Sequence, residues 1–277
     1  MAVNESLYAG TGGAGVNIDP GWSPNLWKDC PWADLRANRN KGFAFEDYFS
    51  VFGWPGSASG GAVSGQCGPY PCYVYQGGSI APADLQGGGI TFSSDGDNEG
   101  AAMWGYATPM KLTSTLKKAW FEASIKSSTI TDTKHGLFCG LTESYAPTTG
   151  VPIGTDDLLA DKNLIGFHRL AGDGDMLDVV WKADGQTQVT ALADAITLVA
   201  DTFMKVGFYF NPDADQANRI TFFYNGTPLT TYATSTQMAA LAFPSDITLG
   251  LVFGVMNATG TTPGSSTLRW WRMAQQI

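Results

Sequence analysis

Charge is what this sequence has least of. Only 15% of its 277 residues are Asp, Glu, Lys or Arg, against about 25% in an ordinary soluble domain. Bases are the scarcer sign, 16 against 25 acids, which leaves a net charge of −9. They are scattered, with Lys117 and Lys118 the one adjacent pair. A nucleic-acid partner needs a basic stripe that displaces counterions from phosphate, so neither nucleic acid nor an anionic membrane is expected as a partner. Histidine is nearly missing too: His135 and His168 are the two in the chain. A hydrolytic triad would need one of them beside a nucleophile and an orienting acid, and no Gly-x-Ser-x-Gly elbow surrounds any serine. His168 reads as a structural histidine on a strand.

Long apolar runs are absent; none approaches the roughly 18 residues of a membrane span. The first residues, MAVNESLYAGTGG, have neither a basic start nor an apolar core, so no signal peptide is read and synthesis in a cytoplasm is expected. Cysteines number four. Cys139 occupies an alternating strand position and is expected as a small buried thiol, while Cys30 lies in a loop. Cys67 and Cys72 flank Gly-Pro-Tyr-Pro, which leaves a disulfide open, although the reduced state is the default inside a cell.

What the chain does have is a train of short alternating strands from Trp120 to Met273, with turns rich in Gly, Pro, Asn and Asp. Phe121, Ala123 and Ile125 share one face of the first, against Trp120, Glu122, Ser124 and Lys126 on the other. Further along, Ile247, Leu249, Leu251, Phe253 and Val255 face inward together. Their alternates include Gly250 and Gly254, where another backbone or a ligand can come close. Asn225-Gly226 is a two-residue hairpin signal. One short helix is read around 236–241. Earlier strands are read at 42–52 and near residues 72, 88 and 99, with 53–71 as loop. Some twelve to fourteen strands with no βαβ pattern imply two packed antiparallel sheets. The 34 glycines, roughly twice the number that an average usage of about 7% gives, fit long loops and tight turns.

Residues 1–40 read as a separate, extended N-terminal arm ahead of a sandwich domain at 41–277. Pro20, Pro24 and Pro31 rule out a regular helix there, and most of it lacks alternation. Trp22, Trp27 and Trp32 recur at five-residue intervals. Tryptophans expose costly apolar area unless they dock, so these three are the candidate partner-docking residues, against the domain or a neighbouring subunit.

Several motifs fail on their surroundings. Gly10 to Gly15 matches GxGxxG but Pro20 and Gly21 follow instead of a helix, so no nucleotide site is read. Asp95 to Gly100 opens like a calcium loop, yet position 106 is Tyr where a bidentate acid is due. Paired carboxylates for sugar hydrolysis are missing, since Glu122 has Ser124 two residues on and Asp178 has Val180. Trp270 and Trp271 beside Arg269 and Arg272 offer an aromatic platform, but neighbours on a strand point opposite ways, so one of them belongs to the core. The residues thus give no catalytic set, no cofactor site and no metal ligands, and the chain is expected to be no enzyme.

FEASIKSS, GLFCGLTE, LIGFHRLAGDGDMLDV, MKVGFYFNPDADQANRITFFYNGTPL, FPSDITLGLVFGVMN and LRWWRMAQ resemble the concanavalin A-like jelly-roll sandwiches of tailed-bacteriophage virion proteins. The resemblance spans about 42–275. It implies an all-β, two-sheet antiparallel jelly roll on the capsid surface of a virion, decorating and cementing the shell by bridging major capsid protein subunits, as a homo-oligomer such as a trimer. The alternative it carries is a glycan-binding module on the virion surface or a tail fibre, with surface glycans as partners.

Overall fold

The computed structural model describes residues 21–49, 63–94, 96–105, 107–113, 117–131, 135–144, 151–154, 158–170, 174–257 and 264–277. The glycine motif at 10–15 and Asp95 lie outside them. Among the described residues are seventeen strands and three short helices. Two helices come first, α1 (Pro24–Trp27) and α2 (Trp32–Ala37), followed by β1 (Gly42–Asp47), β2 (Val63–Cys67), β3 (Tyr70–Tyr75) and β4 (Ser79–Pro82). Then come β5 (Ile90–Ser94), β6 (Gly100–Trp104), β7 (Met110–Lys111), β8 (Ala119–Ser127), β9 (Gly136–Thr142) and β10 (Leu164–Arg169). The chain continues through β11 (Met176–Lys182), β12 (Val189–Thr197), β13 (Met204–Phe210), β14 (Ile220–Tyr224) and β15 (Thr227–Ala233). It closes with α3 (Ser235–Met238), β16 (Thr248–Met256) and β17 (Gly264–Gln276).

The strands form the two antiparallel sheets of a jelly-roll sandwich. One has eight strands in the order β15-β14-β13-β8-β17-β5-β4, with β1 also beside β17; the other has nine, in the order β12-β11-β10-β9-β16-β6-β3-β2, with β7 beside β16. Alternation drives the packing. Phe121, Ala123 and Ile125 of β8 and Leu249, Leu251, Phe253 and Val255 of β16 enter one continuous core. Phe92 meets Phe253 across the sandwich at 4.8 Å, and Phe167 meets Phe222 edge-on at 6.0 Å. Each such ring contributes about 1.5–3 kcal/mol by leaving water. A bulge between Leu268 and Trp270 resets the phase of β17: Trp271 joins the core, and Trp270 stands on the outer face.

The turns follow local chemistry. Asn225 and Gly226 take φ of 47° and 77° and close the β14–β15 hairpin, as that pair predicts. The helix near 236 is the single turn α3, held by a capping box in which Thr234 Oγ1 accepts from the Gln237 amide at 3.1 Å and Gln237 Oε1 accepts from the Thr234 amide at 2.8 Å.

Some segments differ from the reading of the sequence. Short helical turns occur at 24–27 and 32–37 because Pro24 sits at the first position of α1 and Pro31 at the N-cap of α2, places where the missing amide is not needed. β2 lies in a stretch read as loop, and β12 is an additional edge strand. Cys67 and Cys72 are buried and free, with the Cys67 thiol hydrogen-bonded to Cys72. Cys139 is fully buried in the core.

Gly250 and Gly254 do mark close approach, by the chain's own loops. A Cβ at Gly250 would run into Ala107 O, and one at Gly254 would lie 2.5 Å from Pro152 Cδ and 3.0 Å from Ala102 Cβ. Gly254→Val is therefore expected to lower stability by about 1–3 kcal/mol by overpacking, read from urea unfolding. An unchanged midpoint would show that the 151–154 loop yields freely.

Candidate functional site

Trp22, Trp27 and Trp32 come together on the outer face of the eight-stranded sheet. Their rings meet edge-on, with centroids 4.7 to 5.3 Å apart. Leu26 and Leu35 join them over Trp120, Phe223 and Ala274. Gly207 of β13 lets the segment settle: a Cβ there would stand 2.8 Å from Leu26 Cδ1. The three tryptophans thus contact their own chain, and Trp27 keeps only 5% of its surface exposed.

Beneath them lies a cluster of charges. Glu122 of β8 and Arg272 of β17 are direct cross-strand partners, and each is 1% exposed. Trp27 Nε1 donates to Glu122 Oε2 at 2.7 Å. Burial pushes the Glu122 carboxyl above the usual carboxylate range, against the pull of Ser23, Arg272, Trp27 and Lys205. The Arg272 guanidinium is sandwiched between Trp22 and Trp270, 4.5 and 4.2 Å from the ring centroids, and Nη2 donates to the Tyr48 hydroxyl at 3.2 Å. Lys205 Nζ donates to Gly21 O at 3.0 Å. These contacts strap 21–37 to the sheet through cation–π and charge-assisted bonds. The spacing of the tryptophans pointed to docking; the sequence carried no sign that Arg272 and Glu122 would receive them.

Both histidines are buried. The Asn257 amide donates to Ser94 O and Gly96 O at 3.4 and 3.3 Å, so Asn257 Oδ1 faces His135 Nδ1 at 3.4 Å while Nε2 lies 2.8 Å from the Ser266 hydroxyl. That order makes Nδ1 the protonated nitrogen and Nε2 the acceptor. The serine–histidine–asparagine distances are those of a nucleophile and its base, but Ser266 and His135 are each 1% exposed. Burial and the charge of Arg169 lower His135 to about 3. The trio pins β17 to the loops around it. His168, on the outer face of the nine-stranded sheet, has no hydrogen-bond partner for either nitrogen among the described residues, and burial lowers it to about 4. That face is closed by Val151, Ile153 and Leu159, which pack on Tyr73, Trp104 and Phe138.

One cavity of about 250 Å³ opens where the strand ends meet α3 and the loop before β16. Leu112, Phe210 and Met238 wall it on the core side; Arg219, Ser235 and Asp246 bring polar groups. Arg219 is fixed by its backbone, whose amide donates to Ala233 O at 3.1 Å and whose carbonyl accepts from Asn211 at 2.9 Å. Its Nε is buried with no hydrogen-bond partner among the described residues. At the rim, Asp246 pairs with Lys111 at 3.5 Å. None of these residues stood out in the sequence. Among the described residues, no group of three His, Cys, Asp or Glu is placed to hold a metal ion. In the 95–100 loop the Glu99 carboxylate accepts from the Gly96 amide at 2.8 Å.

No protein-family model and no curated protein matches the chain. Solved structures do. A protein of unknown function, SO2946 from Shewanella oneidensis MR-1, superposes with a TM-score of 0.56 at 13% identity, over 86% of this chain and 88% of that one. The carbohydrate recognition domain of Emp47p gives a TM-score of 0.48 at 11% identity, over 87% and 99%. A carbohydrate esterase, vb_24B_21 of the Shiga toxin-encoding bacteriophage phi24B, gives 0.45 at 12% identity, over 75% and 90%. At these identities the likeness is one of fold, the concanavalin A-like jelly roll. The expectation that the chain is no enzyme is corrected here: the solved structures it superposes on include chains named as that esterase, an endo-β-1,4-glucuronan lyase and a laminarinase, and a fold by itself does not decide between binding and catalysis.

Trp27→Phe keeps an aromatic side chain, though a smaller one, and removes the donor to buried Glu122. It is expected to destabilise the protein by about 1–3 kcal/mol, measured by urea unfolding; a variant as stable as the parent would show that the strap does not rest on this bond. The histidines set a pH dependence. Their folded-state values lie below the ordinary 6.5, so the unfolded chain binds protons first as pH falls. Their contribution is complete above about pH 6.5 and is lost as pH drops toward about 4 for His168 and 3 for His135, at up to roughly 1.4 kcal/mol per pH unit for each. His168→Phe should flatten the decline in unfolding free energy between pH 6.5 and 4.5, whereas a slope equal to the parent's would assign the decline to other groups.

Proposed function

We propose that this chain is a glycan-binding module that takes a single sugar residue into the cavity beside α3. The observation that carries the reading is the composition of that cavity: Leu112 and Phe210 back it from the core, Met238 and Ala239 give it apolar surface, and Arg219, Ser235 and Asp246 bring polar groups. Sugars present this division themselves, with C–H patches on the ring and hydroxyls at its edge. Few placed polar groups in an apolar hollow are the usual form of a small-molecule site. Its volume of about 250 Å³ lies below the roughly 300–1,000 Å³ of pockets for drug-sized ligands, which suits one ring of a longer glycan.

Support for a virion surface or tail fibre as the place of such a module comes from the likeness of 42–275 to phage virion proteins. Bridging of capsid subunits has weaker support, because the rings that would anchor a second subunit lie against this chain's own sheet.

About a dozen ligand atoms at roughly −0.3 kcal/mol each give a Kd on the order of 1 mM, within reach of ligand-observed NMR after a glycan array has picked the sugar. Ala239 lines the cavity and is exposed, so Ala239→Trp should fill the hollow and weaken binding about tenfold or more without unfolding the core. Equal binding by parent and variant, or no glycan bound at all, would defeat the reading.

A further inference from the structure

Arg219 is the feature of this cavity that a neutral sugar leaves unexplained. Its Nε is buried without a partner, and no carboxylate of a described residue lies within ion-pair distance of it. The residue as a whole is half-buried, so the cost is that of one enclosed donor without a partner, and the position is not slack, since hydrogen bonds on both sides of the residue fix its backbone. Resting on the glycan-binding reading, we infer that the sugar carries a carboxylate, as a uronic acid residue does, and that Arg219 receives it.

The chemistry selects this group over other anions. A guanidinium presents paired N–H donors in a planar fork that matches the two oxygens of a carboxylate. One guanidinium balances one negative charge. Asp246 at the rim pairs with Lys111 at 3.5 Å and its side chain is 75% exposed, so solvent screens its charge. A phosphate dianion would bring a second charge with no second base among the residues lining the cavity, into a protein that already carries a net −9. Ser235 and Ser245 stand beside the cavity and suit ring hydroxyls, which free phosphate and acetate lack.

The test pairs oligosaccharides of glucuronic or galacturonic acid with the same oligosaccharides reduced to the neutral sugar, titrated against the full chain by NMR and calorimetry. Acetate and inorganic phosphate serve as separate probes. A charge-assisted pair gives about a tenfold to hundredfold preference for the uronate. Arg219→Met should abolish that preference while leaving the weaker neutral binding; Arg219→Lys should keep part of it, since charge remains and the fork is lost. Ala239→Trp should remove both. Equal affinity for acid and neutral sugars would overturn the inference and leave the glycan reading standing. Acetate or phosphate bound as well as any sugar would overturn the glycan reading together with it. A uronate preference that survives Arg219→Met, in a variant shown by its unfolding curve to be folded, would place the carboxylate elsewhere and also overturn it.

Discussion

The structure depends on how the outer face of its eight-stranded sheet is covered. A sandwich buries its inner faces by alternation, but the alternate residues of β8 and β17 include Glu122 and Arg272, which end up as buried as any core leucine. Taking these charges out of water is unfavourable unless each finds a partner. The segment 21–37 supplies them: Trp27 donates to the carboxylate, Trp22 stacks on the guanidinium, and Gly21 accepts from Lys205. Apolar contact alone would hold a tryptophan-rich arm in many registers. The buried charges select one, because a slipped arm would leave Glu122 and Arg272 facing hydrocarbon.

Much of the fold was legible in the residues for a plain physical reason. Strands with one buried face must alternate, and β8 from Ala119 to Ile125, β13 and β16 do so on their inner side. Asn225-Gly226 announced its turn because few other pairs tolerate two successive positive φ angles. What escaped notice obeyed weaker rules. β12 (VTALADAIT) is an edge strand with several exposed residues and poor strand formers, so its pattern never separates from that of a loop. Pro24 and Pro31 looked like helix breakers until their positions were known, since proline forbids the interior of a helix and suits its first turn.

The candidate site was far less legible. Trp22, Trp27 and Trp32 stood out as candidate partner-docking residues; in the structure they pack on the eight-stranded sheet of their own chain. The residues around the cavity come from five separated stretches, 112–113, 210, 219, 235–239 and 245–246, none of which forms a motif. A site assembled from strand ends and one capped turn leaves no spacing to find. Arg219 gave no signal because an arginine at the start of a strand is ordinary; only the absence of a partner at its Nε distinguishes it.

The two outer faces explain why a ligand site would lie at such a place. Over the central strands, one sheet is covered by the arm and the other by Val151, Ile153 and Leu159. The glycines that looked like openings, Gly250 and Gly254, are filled by Ala107 and Pro152. With both faces closed, strand ends and the loops between them are where polar groups can converge on an open hollow. The polar positions there, Ser235, Ser245 and Asp246, also tolerate variation, because a change at them disturbs neither sheet register nor core. A sandwich covered over its central strands can thus keep its framework constant while the residues at its end vary, and here those residues include an arginine whose Nε has no partner among the described residues.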